Sequence, residues 1–108
     1  MPRDWRIRRS DIIEACERAM GYVKDVDFTA FQADAMRQDA VVRCIEIIGE
    51  AARHMPEDAR ALFPDVSWED VVGMRNLLAH EYFGVDLTIV WTTVQEDLPA
   101  LARSLREK

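Results

Sequence analysis

Residues 73–86 hold the side chains in this chain that are best suited to chemistry. The segment, GMRNLLAHEYFGVD, contains one of only two histidines, and its polar members of interest are Arg75, Asn76, His80 and Tyr82. A histidine titrates near neutral pH and can move a proton to or from a ribose 2′-hydroxyl or a 5′-leaving oxygen. An arginine stays charged and can bind two oxygens of a phosphate as it approaches a phosphorane. Arg75 and His80 would therefore suffice, without a metal, for RNA cleavage in which the 2′-oxygen attacks its own phosphate.

The spacing of these residues leaves several geometries open. On a regular helix, positions 76 and 80 are four apart and share a face. Positions 75 and 80 are five apart, which separates them by about 140° around the axis. The long Arg75 side chain bends towards His80, the helix distorts, or the two residues meet across a dimer axis. A structural Arg–His hydrogen bond at a helix interface is the alternative to catalysis.

Other kinds of active site are not evident in the sequence. It has no glycine-rich phosphate loop, no serine with a histidine and an acid nearby, and no Cys or His pair at zinc-site spacing. Asp39, Glu46 and Glu50 fall on the polar side of a long helix, where they either line a cleft or form a solvated face. Cys16 and Cys44 lie among apolar residues at helical spacing, which predicts buried thiols. We expect neither a metal site nor a cofactor.

The composition limits how the chain can bind a polyanion. The 108 residues include 14 Lys and Arg against 20 Asp and Glu, giving a formal net charge of −6. This balance argues against an overall positive field for nucleic acid but permits a local arginine cleft. Twelve of the 14 cations are arginines. Candidates for such a cleft are Arg43, Arg53 and the N-terminal cluster of Arg3, Arg6, Arg8 and Arg9, for which a solvated charged end is the alternative.

The elements that must position these residues are predicted to be helices. Apolar residues recur every three or four positions almost throughout, which indicates an all-α fold. We predict an antiparallel four-helix-type bundle with short extra helices, forming a single domain over residues 1–108, with 1–9 as a loosely ordered N-terminal segment. No apolar run approaches the length of a membrane span and no signal-peptide core follows the basic start, so we expect a soluble, cytoplasmic protein that does not bind membranes.

Helix boundaries follow from capping residues. Ser10 is predicted to cap the first helix, and a long helix is expected from about Gln38 to Met55. The next main helix is predicted to start at Ser67 and the last to follow Asp86. Pro99 should kink that last helix near Gln95, because proline lacks the N–H that the helical hydrogen bond needs.

The segment from Arg75 to Tyr82 resembles the R-x-x-x-x-H-x-Y motif of the HepT-like toxins, a branch of the HEPN ribonuclease superfamily. The similarity continues in residues 38–56, QDAVVRCIEIIGEAARHMP, and in residues 66–101, which resemble the second helix and the last two helices of that family. It covers nearly the whole chain and is weakest at residues 1–9 and at the C-terminal tail.

The resemblance implies a specific activity and a specific partner. It implies a homodimeric, metal-independent ribonuclease with Arg75 and His80 as the catalytic pair and Asn76 as a supporting polar group. It further implies a type VII toxin–antitoxin pair, in which an MntA-type nucleotidyltransferase antitoxin silences the toxin by transferring AMP to Tyr82. AMP would add bulk and phosphate charge two residues from His80. The alternative is a non-catalytic helical module that binds and positions a nucleotidyltransferase or a nucleotide.

Overall fold

The computed structural model describes residues 4–79 and 86–106, with residues 75–79 described through their backbone alone. Over these ranges the chain is helical and contains no strand, which confirms the predicted all-α fold. The elements, in chain order, are α1 (Trp5–Tyr22), α2 (Phe28–Gln32), α3 (Ala35–Arg53), α4 (Glu57–Arg60), α5 (Trp68–Ala79), α6 (Leu87–Thr92), a π-helical turn (Thr93–Asp97) and α7 (Leu98–Arg106).

Helix α3 is the centre of the bundle. It packs against α1 on one side and against α5 on another, and α7 closes the bundle by packing against α1. The side chains between these helices are apolar and fully buried, as the periodicity predicted; the largest include Ile12, Phe31, Val41, Ile45, Ile48, Phe63, Leu98 and Leu105. Burial of each such side chain contributes about 1.5–3 kcal/mol to folding.

The predicted start of α1 at Ser10 is wrong. The helix begins at Trp5, and Asp4 is its N-cap, since the Asp4 carboxylate accepts a hydrogen bond from the Arg6 backbone N–H at 2.8 Å. The structure thus places residues 5–9, predicted to be loosely ordered, in the first turns of a helix. Packing explains the extension, because the Trp5 ring meets the edge of Phe63, a buried residue far along the chain, at a centroid distance of 6.1 Å.

Aspartates cap three further helices. Asp27 and Asp34 accept hydrogen bonds from backbone N–H groups in the first turns of α2 and α3, so α3 begins three residues before the predicted Gln38. Asp86 caps α6 as predicted, accepting from the N–H groups of Thr88 and Ile89. These bonds satisfy donors that a helix leaves without intrahelical partners.

The last helix is interrupted where the sequence predicted a kink. Pro99 has no N–H to donate to the carbonyl of Gln95, and the backbone widens into a π-helical turn over Thr93–Asp97. Within that turn the Leu98 N–H donates to the Thr93 carbonyl, five residues earlier. The apolar seam then resumes along α7, where Leu98, Leu101 and Leu105 are buried.

Both cysteines are buried free thiols, as predicted. Burial raises the pKa of Cys16 to about 12, a change that the nearby Arg106 guanidinium partly opposes. Burial also raises the pKa of Cys44. Neither thiol is ionised near neutral pH, so both serve as small apolar core groups.

None of the described helices combines the length and the apolar character needed to cross a membrane.

Candidate functional site

The motif identified in the sequence begins inside α5. Arg75 and Asn76 lie in the second half of this helix, where the structure describes their backbone. His80 and Tyr82 lie outside the described residues. The predicted pairing of Arg75 with His80 therefore remains a prediction.

Hydrogen bonds made by Arg60 connect the start of α5 to the end of α3. The indole N–H of buried Trp68 donates to the Arg60 carbonyl at 3.2 Å. The Arg60 guanidinium in turn donates to the carbonyls of Ala52, at 2.9 Å, and Met55, at 3.1 Å. Because α5 starts at the C-terminal end of α3 and packs along it, the two helices run antiparallel. Arg75, seven residues after Trp68, therefore lies about 10 Å further along α5 and beside the middle of α3.

An open cavity of about 600 Å³ lies between α5 and the segment formed by α6 and the π-helical turn. Gly73 and Met74 line it from α5, immediately before Arg75, and Thr88 and Ile89 line it from α6. A Cβ atom added at Gly73 would meet no atom of the described residues within 4 Å, so packing against them does not require a glycine there. The cavity therefore lies beside the start of the motif.

Carboxylates dominate the polar part of this cavity. Glu69, Asp70 and Asp97 are its charged lining residues. The pKa of Asp97 is raised, first by its partial burial and then by the neighbouring Glu96 and Asp70 carboxylates. A negatively charged lining repels phosphate, so this cavity does not suit an RNA backbone.

Arg75 is the single Lys or Arg in a long stretch of sequence around the motif. Between Ala61 and Ala102 the chain has no other Lys or Arg, whereas seven Asp and Glu residues fall in the same stretch. An RNA phosphate bound at the motif would therefore meet one guanidinium in an otherwise acidic region. Further positive charge must come from another part of the molecule or from a second chain.

Arginines gather on the opposite side of α3. A groove of about 390 Å³ between α1 and α3 is lined by Arg8, Arg43 and Arg53 together with Asp11, Glu46 and Glu50. Two of the three acidic residues proposed to line a cleft, Glu46 and Glu50, are thus in this groove, while Asp39 is exposed and is not part of its lining. The sequence had named Arg43, Arg53 and the N-terminal cluster as candidates for an arginine cleft, and of that cluster the groove includes Arg8.

The helical placement of Arg8 was not predicted, because α1 was expected to begin two residues after it. Once α1 is extended to Trp5, Arg8 and Asp11 are three residues apart on one helical face. The α3 side was readable from spacing, since positions 43, 46, 47, 50 and 53 recur every three or four residues. Asp4, a strong N-cap residue before Trp5, was the signal that could have corrected the boundary.

His54 is the C-cap residue of α3 and contacts Glu50, one of the residues that line the groove. Its Nε2 atom lies 3.0 Å from Glu50 Oε1, and Arg53 Nη2 lies 3.3 Å from the same oxygen. Among the described residues, no group of three or more His, Cys, Asp or Glu side chains is arranged to hold a metal ion.

The chain matches known proteins over nearly its whole length. The family model described as Ribonuclease HepT-like matches residues 12–107. "Putative RNase MJ1380" of Methanocaldococcus jannaschii is 40% identical over 103 residues, covering 95% of this chain and 94% of that protein. "Probable ribonuclease HepT" of Thermococcus cleftensis is 41% identical over 101 residues, covering 94% and 92%. No solved structure matches the chain. With a family match over residues 12–107 and relatives at this level of identity, the chain belongs to the HepT-like ribonuclease family.

Proposed function

We propose that this protein is the toxin of a type VII toxin–antitoxin pair and cleaves RNA without a metal ion. The observation that carries the proposal is the Arg75–His80–Tyr82 motif in a chain of the HepT-like ribonuclease family. The isolation of Arg75 as the one cation in an acidic stretch of 42 residues, from Ala61 to Ala102, also favours a dedicated role for it.

The reaction needs a proton acceptor and a phosphate ligand, and the motif supplies both. In the proposed mechanism the imidazole of His80 accepts the proton of a ribose 2′-hydroxyl, and the 2′-oxygen attacks the adjacent phosphorus. The bond to the 5′-oxygen breaks, and this leaving oxygen takes up a proton. Arg75 binds the non-bridging oxygens, whose charge grows in the transition state, and Asn76 supports the site as a hydrogen-bonding group. The products carry a 2′,3′-cyclic phosphate and a 5′-hydroxyl.

We propose that Tyr82 is the inactivating switch. A nucleotidyltransferase antitoxin of the MntA type transfers AMP from ATP to the Tyr82 hydroxyl and releases pyrophosphate. The added phosphate is negative and bulky, and it lies two residues from His80, so it competes with the substrate phosphate for the same region. A homodimer brings two motifs into one cleft and doubles the number of motif arginines there.

The first experiment is RNA cleavage in excess EDTA, comparing wild type with His80→Ala. Intact mass must first show that Tyr82 is unmodified, because one AMP adds roughly 330 Da. We expect the wild type to leave 2′,3′-cyclic phosphate ends and the variant to lose at least about 100-fold in rate, as general acid–base catalysis contributes that much. Arg75→Ala should also be inactive, while circular dichroism melting shows both variants to be folded.

Two results would contradict parts of the proposal. Equal activity of wild type and His80→Ala would favour a non-catalytic module that positions a nucleotidyltransferase or a nucleotide. A large fall in the melting temperature of either variant would assign Arg75 or His80 a structural role. For the switch, Tyr82→Phe should cleave RNA and resist the antitoxin; continued neutralisation by AMP transfer would exclude Tyr82 as the acceptor.

A further inference from the structure

The groove between α1 and α3 unites arginines that are far apart in the sequence. Arg8 reaches it from α1, and Arg43 and Arg53 reach it from α3. Its volume, about 390 Å³, exceeds that of a single phosphodiester group, and Ile47 and Ala51 form its apolar part. Arginine guanidinium groups match phosphate oxygens in geometry as well as in charge.

Two of these arginines have no hydrogen-bond or ion-pair partner in the part of the chain that the structure describes. Arg53 donates to the Glu50 carboxylate, which also lies against His54. Arg8 and Arg43, in contrast, form no hydrogen bond or ion pair with any residue that the structure describes. A guanidinium without a carboxylate partner is available to bind an anion from outside.

RNA binding requires more positive charge than the region around the motif supplies. Residues 61–102, which include the motif, provide Arg75 as their single Lys or Arg, and the charged residues that line the large cavity beside the motif are carboxylates. RNA affinity depends on cations that neutralise backbone phosphates. In the described structure, the α1–α3 groove is where arginines from separate helices converge, and α3 supports both this groove and the motif helix α5.

We propose that Arg8 and Arg43 form a second RNA-binding site, which holds a backbone phosphate of the substrate away from the scissile one. The inference rests on the proposed function for the identity of its ligand. Asp11, Glu46 and Glu50 also line the groove, so its formal charge is balanced. We therefore expect it to bind one phosphate and to position the RNA, rather than to form a long basic track.

The direct test measures RNA binding by protein that cannot cleave. In the His80→Ala background, Arg8→Ala/Arg43→Ala is compared with Lys24→Ala/Arg103→Ala. Both pairs remove two positive charges, but Lys24 and Arg103 are exposed and lie outside the groove. The probe is a fluorescein-labelled single-stranded RNA oligonucleotide of mixed sequence, and the readout is fluorescence polarisation over a range of salt concentrations.

The groove variant should bind this RNA about tenfold more weakly at low salt, which is the effect of losing one charge-assisted contact. When the logarithm of its RNA association constant is plotted against the logarithm of the salt concentration, the slope should be shallower by about 0.7. This is the contribution of one phosphate contact on a single strand. The control variant should bind the RNA with an affinity close to that of the His80→Ala parent protein. In cleavage assays with intact His80, the groove variant should show a KM raised by a similar factor.

The outcomes separate this proposal from the one on which it rests. Equal RNA affinity of the groove and control variants would overturn the second site, while leaving catalysis by Arg75 and His80 intact. RNA binding that depends on Arg8 and Arg43 in a wild-type protein that does not cleave would support the site and overturn the ribonuclease proposal. Binding of a polyglutamate peptide instead of RNA, lost in the groove variant, would assign the groove to an acidic protein.

Discussion

At the scale of single residues, charge and burial set the properties of the side chains around the motif. Arg75 is the single Lys or Arg between Ala61 and Ala102. The cavity beside the start of the motif is lined by Glu69, Asp70 and Asp97. The pKa of Asp97 is raised chiefly because burial disfavours its charged form. Its ionisation is thus unfavourable to the folded state, and a protein retains such a group only at some loss of stability.

Asp97→Asn should therefore stabilise the fold at neutral pH. The folded pKa lies above the ordinary value of 3.8, so the folded state binds the proton more tightly and ionised Asp97 destabilises it as the pH rises. We expect a rise in melting temperature of less than about 4 °C at pH 7, since Asp97 is largely exposed. The gain should shrink towards zero as the pH falls to 3.8 and below. A gain that is the same at every pH would point to a cause other than charge.

At the scale of elements, caps and a proline define where the helices begin, end and deform. Asp4, Asp27, Asp34 and Asp86 each satisfy the N–H groups at a helix start. Pro99 turns one stretch of the last helix into a π-helical turn, and the two sides of this turn border separate cavities, one of them beside the motif. Cap residues and prolines of this kind can be recognised in the sequence, because a cap and its helix are neighbours along the chain.

The start of α1 can be tested with a matched pair of substitutions. Asp4→Ala removes the carboxylate that caps Arg6 and should lower the free energy of unfolding by about 1 kcal/mol. Ser10→Ala lies at an exposed site within α1 and should leave stability unchanged or raise it slightly, because alanine favours a helix interior. Urea denaturation followed by circular dichroism measures both. If Ser10→Ala were the more destabilising change, the helix would begin at Ser10 in solution.

At the scale of the whole molecule, the two faces of α3 carry different electrostatics. Arginines from α1 and α3 line one groove. Helix α5, which packs elsewhere on α3, carries Arg75, the single Lys or Arg among the seven Asp and Glu residues of positions 61–102. A net charge of −6 opposes RNA binding at long range. RNA must therefore be held by arginines at specific positions, and a second copy of the chain would supply more of them.

The proposed homodimer has a direct hydrodynamic consequence. One chain has a mass of 12.5 kDa, so light scattering after size exclusion should give about 25 kDa for unmodified protein. Dimerisation should also persist in His80→Ala, since that substitution removes a proton acceptor rather than an apolar contact. A single species of one-chain mass across the concentration range would contradict a dimer formed without the antitoxin.

The sequence by itself determined the features that depend on neighbours along the chain. Apolar periodicity gave the helices and the core, the cap at Asp86 gave the start of α6, and Pro99 marked the site of the π-helical turn. The motif from Arg75 to Tyr82 was readable as a string, and so was membership of the HepT-like family. These features are local because helical hydrogen bonds and capping bonds join residues only a few positions apart.

The tertiary structure decided what depends on contacts between distant residues. The packing of Trp5 against Phe63 accompanies the extension of α1 back to Asp4, and with it the helical placement of Arg8. The meeting of Arg8 with Arg43 then follows from the packing of α1 on α3, which no local pattern specifies. Periodicity states which face of a helix is apolar, but not which helix will cover it. The arginine groove is therefore a property of the folded bundle and not of any segment of its sequence.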